Sequence, residues 1–164
     1  MSLNLSSITA ALTDLCEKHT SLGADRFFRF DQEFSEIMAS PSLADKTVML
    51  MQPISSYFTG QNEAQPYKHV RVEFSILTPS TVGDYDEAET DINACEQIGL
   101  DILARIRHYS QNFGNTPTIF KTFDFVNIQG YPILLSDDNR AGYSYTFELY
   151  EFVDLSLNLS KWTS

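Results

Sequence analysis

Apolar residues recur along this chain with two spacings, and the spacings predict most of its elements. Leu5, Ile8, Leu12 and Leu15 stand three and four residues apart, which predicts a helix over 3–20 with Gly23 as its stop. Phe28 and Phe30 alternate with Phe27, predicting a short aromatic strand around 25–31. Residues 35–46 read as turn-like, with Pro41 breaking any helix. A second short strand is expected over 47–52, ended by Pro53. The polar stretch 54–66, with Gly60, Asn62 and Pro66, reads as a loop between hairpin partners. Over 68–78 the pattern changes to strict alternation: Val70, Val72, Phe74 and Ile76 against His69, Arg71, Glu73 and Ser75, a strand with one buried and one wetter face.

The longest regular pattern covers 86–111. Ala88, Ile92, Cys95, Gly99, Ile102, Ile106 and Tyr109 fall at steps of three and four, and Leu103 widens the stripe. Acidic residues crowd its start and Arg105, Arg107 and His108 its end, the polarity that a helix dipole favours. After a turn at 114–117, Phe120, Phe123 and Phe125 predict a strand over 118–126. Residues 130–142, with Asp137, Asp138 and Asn139, read as a loop, and Tyr143, Tyr145, Phe147 and Leu149 predict a strand over 143–153. The order helix, strands, long helix, strands predicts an α+β fold: an antiparallel or mixed sheet with an N-terminal helix and one long helix packed on one face. The expected organisation is a single domain over 1–153 and a C-terminal extension or arm over 154–164.

That extension has a pattern of its own. Val153, Leu155, Leu157 and Leu159 alternate with Asp154, Ser156, Asn158 and Ser160, and Trp162 closes the run. It reads either as one more strand of the domain or as an arm that covers a neighbouring subunit. Tyr57 and Phe58, set among polar residues, form a second candidate contact. The candidate subunit-interface residues are thus Tyr57, Phe58, Leu155, Leu157, Leu159 and Trp162.

Composition narrows the function. The 164 residues are 43% hydrophobic, enough for a packed core. The longest apolar runs fall well short of the roughly 18 residues a membrane helix needs. The polar amino terminus does not read as a secretory signal, so synthesis and folding in a cytosol are expected, with Cys16 and Cys95 as buried free thiols. A disulfide between the two helices is left open. The net charge of −11 disfavours gripping a phosphate backbone, because that grip comes from Lys and Arg. It suits solubility, or a surface past which nucleic acid slides without being held.

Candidate chemistry is sparse. His19 and His108 lie near helix ends and His69 on the wetter face of a strand, with no nucleophile elbow around any serine. Neither paired Cys/His spacing nor an EF-hand pattern is present, so the acidic run from Asp84 to Asp91 reads as the capped start of the long helix. The glycines are scattered singly, without a P-loop or dinucleotide fingerprint. No catalytic, cofactor-binding or metal-ligating residues are assigned, and no cofactor is expected.

The order of elements, with Met-Leu-Met-Gln-Pro53, the strand Val70–Ile76, the acid-led helix 86–111 and the closing Asp138-Asn-Arg-Ala-Gly-Tyr-Ser-Tyr-Thr-Phe-Glu-Leu149, resembles phage tail-terminator (tail-completion) proteins. The resemblance implies a homo-oligomeric ring, usually a hexamer, that caps the tail tube. It would join the tail-tube protein to the neck or connector protein and line the DNA channel. Asp84, Asp86 and Glu87 become candidate channel-facing acids, DNA would pass without specific binding, and the location would be the virion. The long loop 54–66 and the tail 154–164 depart from the family's pattern. Alternatives are another head-to-tail connector or tail-tube component, a small-ligand or enzymatic α+β domain with a deep polar-lined pocket, or an acidic regulator that masks a basic partner.

Overall fold

The structure is a computed structural model that describes residues 3–30, 40–60, 66–81, 83–111, 118–135 and 137–153. The expected turn at 114–117, parts of the segments 35–46 and 54–66, and the arm with Leu155, Leu157, Leu159 and Trp162 lie outside the described residues.

Helix α1 spans Leu5–Lys18. Asn4 caps it: its Oδ1 accepts from Ser7 N at 2.9 Å while its own N–H donates to Ser7 Oγ at 3.2 Å, so two otherwise unpaired donors are satisfied reciprocally. The strands are β1 (Phe27–Arg29), β2 (Val48–Met51), β3 (Ser55–Thr59), β4 (Tyr67–Pro79), β5 (Phe123–Leu135) and β6 (Arg140–Phe152). Helix α2, Tyr85–Gln111, crosses between β4 and β5, and a 3-10 turn over Thr118–Thr122 precedes β5. The sheet is mixed, in the order β1-β2-β4-β6-β5, with β3 on the far half of β4 beside β2. Among the described residues only β1–β2 is parallel; the other pairings are antiparallel. The expected α+β architecture, a mixed sheet with a short N-terminal and one long helix, is the one observed.

The central pair is β4 and β6, thirteen residues each and in register throughout. Val70, Val72, Phe74 and Ile76 of β4 stand opposite Leu149, Phe147, Tyr145 and Tyr143 of β6, and this face packs against α1 and α2. From α2 come Cys95, Ile102, Leu103, Ile106 and Tyr109, the predicted stripe, with Ile92 at its half-buried margin. The approach is close at Gly99, where an added Cβ would sit 2.2 Å from a ring carbon of Tyr145. The Tyr145 hydroxyl in turn donates to the Glu96 carbonyl at 3.1 Å. The start of α1 is tied to the same sheet: Leu3 N–H donates to Glu151 Oε2 at 2.8 Å and Lys68 Nζ to Leu3 O at 2.6 Å.

A second, smaller core lies on the opposite face. Phe28, Val48, Leu50 and Leu77 are buried there, with Leu43, Ile133 and Leu135 packed around them. Leu77 and Ser75 therefore lie buried on the face expected to be wetter: Leu43 packs on the cluster that holds Leu77, and Ser75 Oγ donates to Ser144 Oγ at 3.1 Å. The chain holds the 40–47 segment with Arg140, only 1% exposed. Its guanidinium donates to the carbonyls of Leu43 at 2.8 Å, Lys46 at 2.6 Å and, more weakly, Leu77 at 3.4 Å. Burial lowers the Arg140 pKa, and the nearby Asp138 carboxylate partly offsets this.

Several expectations are corrected. The stretch expected as a loop over 54–66 contains β3, which an extra residue around Pro53 offsets from β2 along the same partner, β4. The first part of the strand expected over 118–126 is the 3-10 turn. The loop expected over 130–142 is the heart of a long hairpin, in which Gly130, Tyr131, Pro132 and Ile133 pair with β6 and the ladder runs up to the pair Leu135–Arg140. Asn139 takes φ +51° there, a left-handed conformation that Asn tolerates well. Phe27 and Phe30, not Phe28 and Phe30, share the main-core side, since Phe30 leaves the strand at φ +62°.

Cys16 and Cys95 are free and buried, and burial pushes each thiol up to about 12. Because these values lie above the ordinary 9.0, the protonated thiols support the fold fully below pH 9. That support is lost as pH rises through about 12. Both thiols should resist iodoacetamide in the native chain at mildly alkaline pH and react once urea unfolds it, as read by intact mass. Replacing Arg140 with Met strands buried carbonyls and should cost about 3 kcal/mol in urea unfolding. Arg140→Lys should recover only part of this, because an ammonium cannot fork to several carbonyls.

Candidate functional site

Register decides which side chains reach the half of the sheet that neither helix nor the 40–47 segment covers. On this face stand Tyr67, His69, Arg71 and Glu73 of β4, Thr146, Glu148, Tyr150 and Phe152 of β6, Tyr57 and Thr59 of β3, and Gln129 and Tyr131 of β5. Tyr57 stacks on His69 at 4.8 Å between centroids and 8° between planes, and its hydroxyl donates to Glu148 Oε2 at 2.8 Å. His69 Nε2 lies 2.7 Å from Thr59 Oγ1, and its Nδ1 is 3.7 Å from Glu148 Oε2, beyond hydrogen-bond range. Tyr67 packs on Phe152 at 4.0 Å and meets Tyr150 edge-on at 6.2 Å. Toward β5, Glu73 accepts from the Tyr131 hydroxyl and, at 3.1 Å, from Ser144 Oγ.

These contacts leave His69 and Glu148 mostly covered but keep the outer aromatic rings exposed. Tyr57, Tyr131, Tyr150 and Phe152 all remain among the exposed large hydrophobics, Phe152 at 65%. The hydrogen bond to Glu148 raises the Tyr57 pKa, and the one to Glu73 raises that of Tyr131 against a smaller opposing bond from Ser144. Both phenols therefore stay neutral donors at physiological pH. A flat face of ordered aromatic rings with acidic partners suits burial against another protein surface: the rings bring large contact area at small entropic cost.

Beside this face runs an exposed sheet edge. In β5 only Asp124 is charged among thirteen residues, and its carboxylate is engaged by Val126 N–H at 2.8 Å and Asn127 Nδ2 at 3.2 Å. The ladder to β6 breaks between Asp124 and Gln129, where Val126 is 86% exposed. Between this bulge and α2 lies a groove of about 470 Å³ lined by Leu100, Leu103, Phe123, Phe125 and Ile128, with the Arg107 guanidinium 5.3 Å from the Phe125 ring. Edge strands of folded chains are usually blunted by charge, so a long uncharged one marks a contact surface.

The structure separates the residues singled out from sequence. Tyr57 and Phe58 adjoin each other on β3 but point to opposite faces, Tyr57 to the open face and Phe58 to the helix side, both exposed. Asp84, Asp86 and Glu87 are exposed at the start of α2, where Asp84 Oδ1 caps the helix by accepting from Glu87 N at 3.0 Å. They follow the far end of β4, about 33 Å along the strand from His69 at ~3.3 Å per residue. Among the described residues no group of three or more His, Cys, Asp or Glu side chains could hold a metal ion, and no helix is long and apolar enough to cross a membrane. Sequence reading missed the β5 edge and the groove. The signal available was the near absence of charge from 123 to 135.

Compared with known proteins, the chain matches no family model and no curated sequence.

Tyr131→Phe and Glu73→Gln should each lower stability by about 1 kcal/mol. The double substitution should cost less than their sum, because the shared hydrogen bond is lost once. Urea unfolding of the four proteins in the cycle checks this; strict additivity would show the two side chains to be independent.

Proposed function

We propose that this chain is a virion structural protein: a ring-forming tail terminator that caps the tail tube, joins it to the neck or connector and lines the DNA channel without catalysing a reaction. The observation that carries the reading is the β5 edge, long, exposed and charged only at Asp124, together with the aromatic open face beside it. The sheet also offers a different exposed strand, β3, on its opposite side. A contact between two different patches of the same chain is head-to-tail, and head-to-tail contacts close into rings when the rotation permits.

Charge supports the same reading. A chain of net charge −11 offers phosphate no overall attraction, and Asp84, Asp86 and Glu87 stand exposed together at the start of α2. Facing a channel, such carboxylates repel the DNA backbone and keep it sliding. The resemblance in element order supplies the family, the hexameric count and the neighbours, tail-tube protein and neck.

Light scattering of the purified chain should give the mass of a hexamer of 18.6 kDa subunits, alone or on addition of tail-tube protein. A monomer at high concentration, with tail-tube protein present, would remove the basis for the proposal. Truncation after Asp154 should leave the circular dichroism of a folded chain that no longer assembles. Loss of folding instead would assign Leu155, Leu157 and Leu159 to the core.

A further inference from the structure

The groove between α2 and the β5 bulge is lined mainly by apolar side chains. Leu100 is 45% exposed and Phe125 41%, although each has packed neighbours in Leu103, Phe123 and Ile128. Because the ladder is broken between Asp124 and Gln129, the strand there is not held flat against β6, and the groove opens along the sheet edge. A second strand laid along β5 would cover the apolar floor and meet backbone groups that β6 does not pair.

Residues 154–164 of this chain have the matching pattern. Leu155, Leu157 and Leu159 occur at every second position, the period that places all three on one side of an extended strand. They span about 13 Å at ~3.3 Å per residue, and the whole segment reaches about 36 Å. Its charges are one Asp154 and one Lys161, so it approaches a second copy without adding to the repulsion between two chains of net charge −11.

Where the segment departs argues for a neighbour's groove rather than its own. Val153 N–H donates to the Pro66 carbonyl at 3.2 Å, so at the last described residue the chain is still paired with the β4 side of β6, and β5 lies on the other side. The 3-10 turn Thr118–Thr122, just ahead of β5, packs on both β6 and α2 with Ile119 and Phe120 buried.

We propose that residues 154–164 of one copy lie along the β5 edge of the next, with Leu155, Leu157 and Leu159 seated in the groove lined by Leu100, Leu103, Phe123, Phe125 and Ile128. This rests on the ring reading above and names the contact that links successive subunits. Each subunit gives an arm at one side and receives one at the other, a head-to-tail arrangement.

Trp162, the single tryptophan, lies in the arm and reports on it directly. Its emission in the full-length chain should shift to the blue as light scattering shows assembly, and return on dilution. Leu100→Glu, on an exposed helix position, and Phe125→Ser should each abolish the shift and the assembly while leaving the circular dichroism unchanged. Assembly with Trp162 emission that neither shifts nor responds to the two substitutions would overturn the docking and leave the ring standing. A blue-shifted Trp162 at every concentration in a monomer would mean that the arm covers its own groove, which overturns the docking and the ring together. A monomer with solvent-exposed Trp162 throughout would do the same.

Discussion

The in-register pairing of β4 with β6 is the constraint on which the rest of this molecule depends. Thirteen residues of each strand run side by side, so one parity of side chains is committed to α1 and α2 and the other to the opposite face for the full length of the sheet. A slip of one residue would exchange Val70, Val72 and Phe74 for His69, Arg71 and Glu73 on the helix side, which the buried helix stripes forbid. The close contact of Gly99 with Tyr145 adds a positional lock, because the helix backbone meets the ring with no room for a side chain. At Gly142, likewise, an added Cβ would fall 2.0 Å from the Ile76 carbonyl oxygen, so the central strands are glycine-dependent at their crowded end.

The face turned away from the helices is divided by a buried cation, Arg140. Arg140 draws the carbonyls of the 43–46 turn over Leu50 and Leu77 and so closes the second core at one end of the sheet. A guanidinium suits this role because its planar array of N–H groups can meet several carbonyls at once in a desolvated site. Beyond that turn the side chains on the same face change from Leu and Val to Tyr, His, Glu and Phe, and Tyr57, Tyr150 and Phe152 are exposed. Their mutual stacking and hydrogen bonding hold them in one arrangement before any partner arrives. Such preorganisation lowers the entropic cost of covering the face. The β5 edge next to it lacks the charges that ordinarily prevent strand addition. Surface chemistry and edge chemistry therefore favour the same side of the molecule for contact with other chains, while the acidic start of α2 lies toward the opposite end of the central strands.

Elements with one dry and one wet side announced themselves in the sequence. In α2 the apolar stripe and the distribution of charge agreed, and in β4 the alternation was strict over its central residues, so both were legible within a residue or two of their observed limits. The strand β3 and all of β5 beyond its first four residues were not. Every residue of β3 is exposed, and β5 is exposed or half-buried at all but its first position, so neither shows an alternation to read. Gly130 and Pro132 reinforced the wrong reading of β5, since both are turn residues by preference. Pro132 is tolerated because an edge strand has a side that donates to nothing. The second core was illegible for a related reason: Leu77 continues the wetter parity of β4, and distant residues, Phe28, Leu43, Ile133 and Leu135, make that parity dry.

The chain by itself determined the two helices, the central strand and the α+β class, because periodic burial leaves a periodic trace in residue type. It also carried the acidic balance and the alternating leucines of 154–164, which belong to composition and order alone. The tertiary structure decided what periodicity cannot encode. It placed Arg140 over carbonyls nearly a hundred residues away, brought Tyr57, His69 and Glu148 together across three strands, and left the outer edge of β5 open beside an apolar groove. These features arise from which strands become neighbours, and pairing between distant segments is fixed by the packing of the whole sheet rather than by any local run of residues.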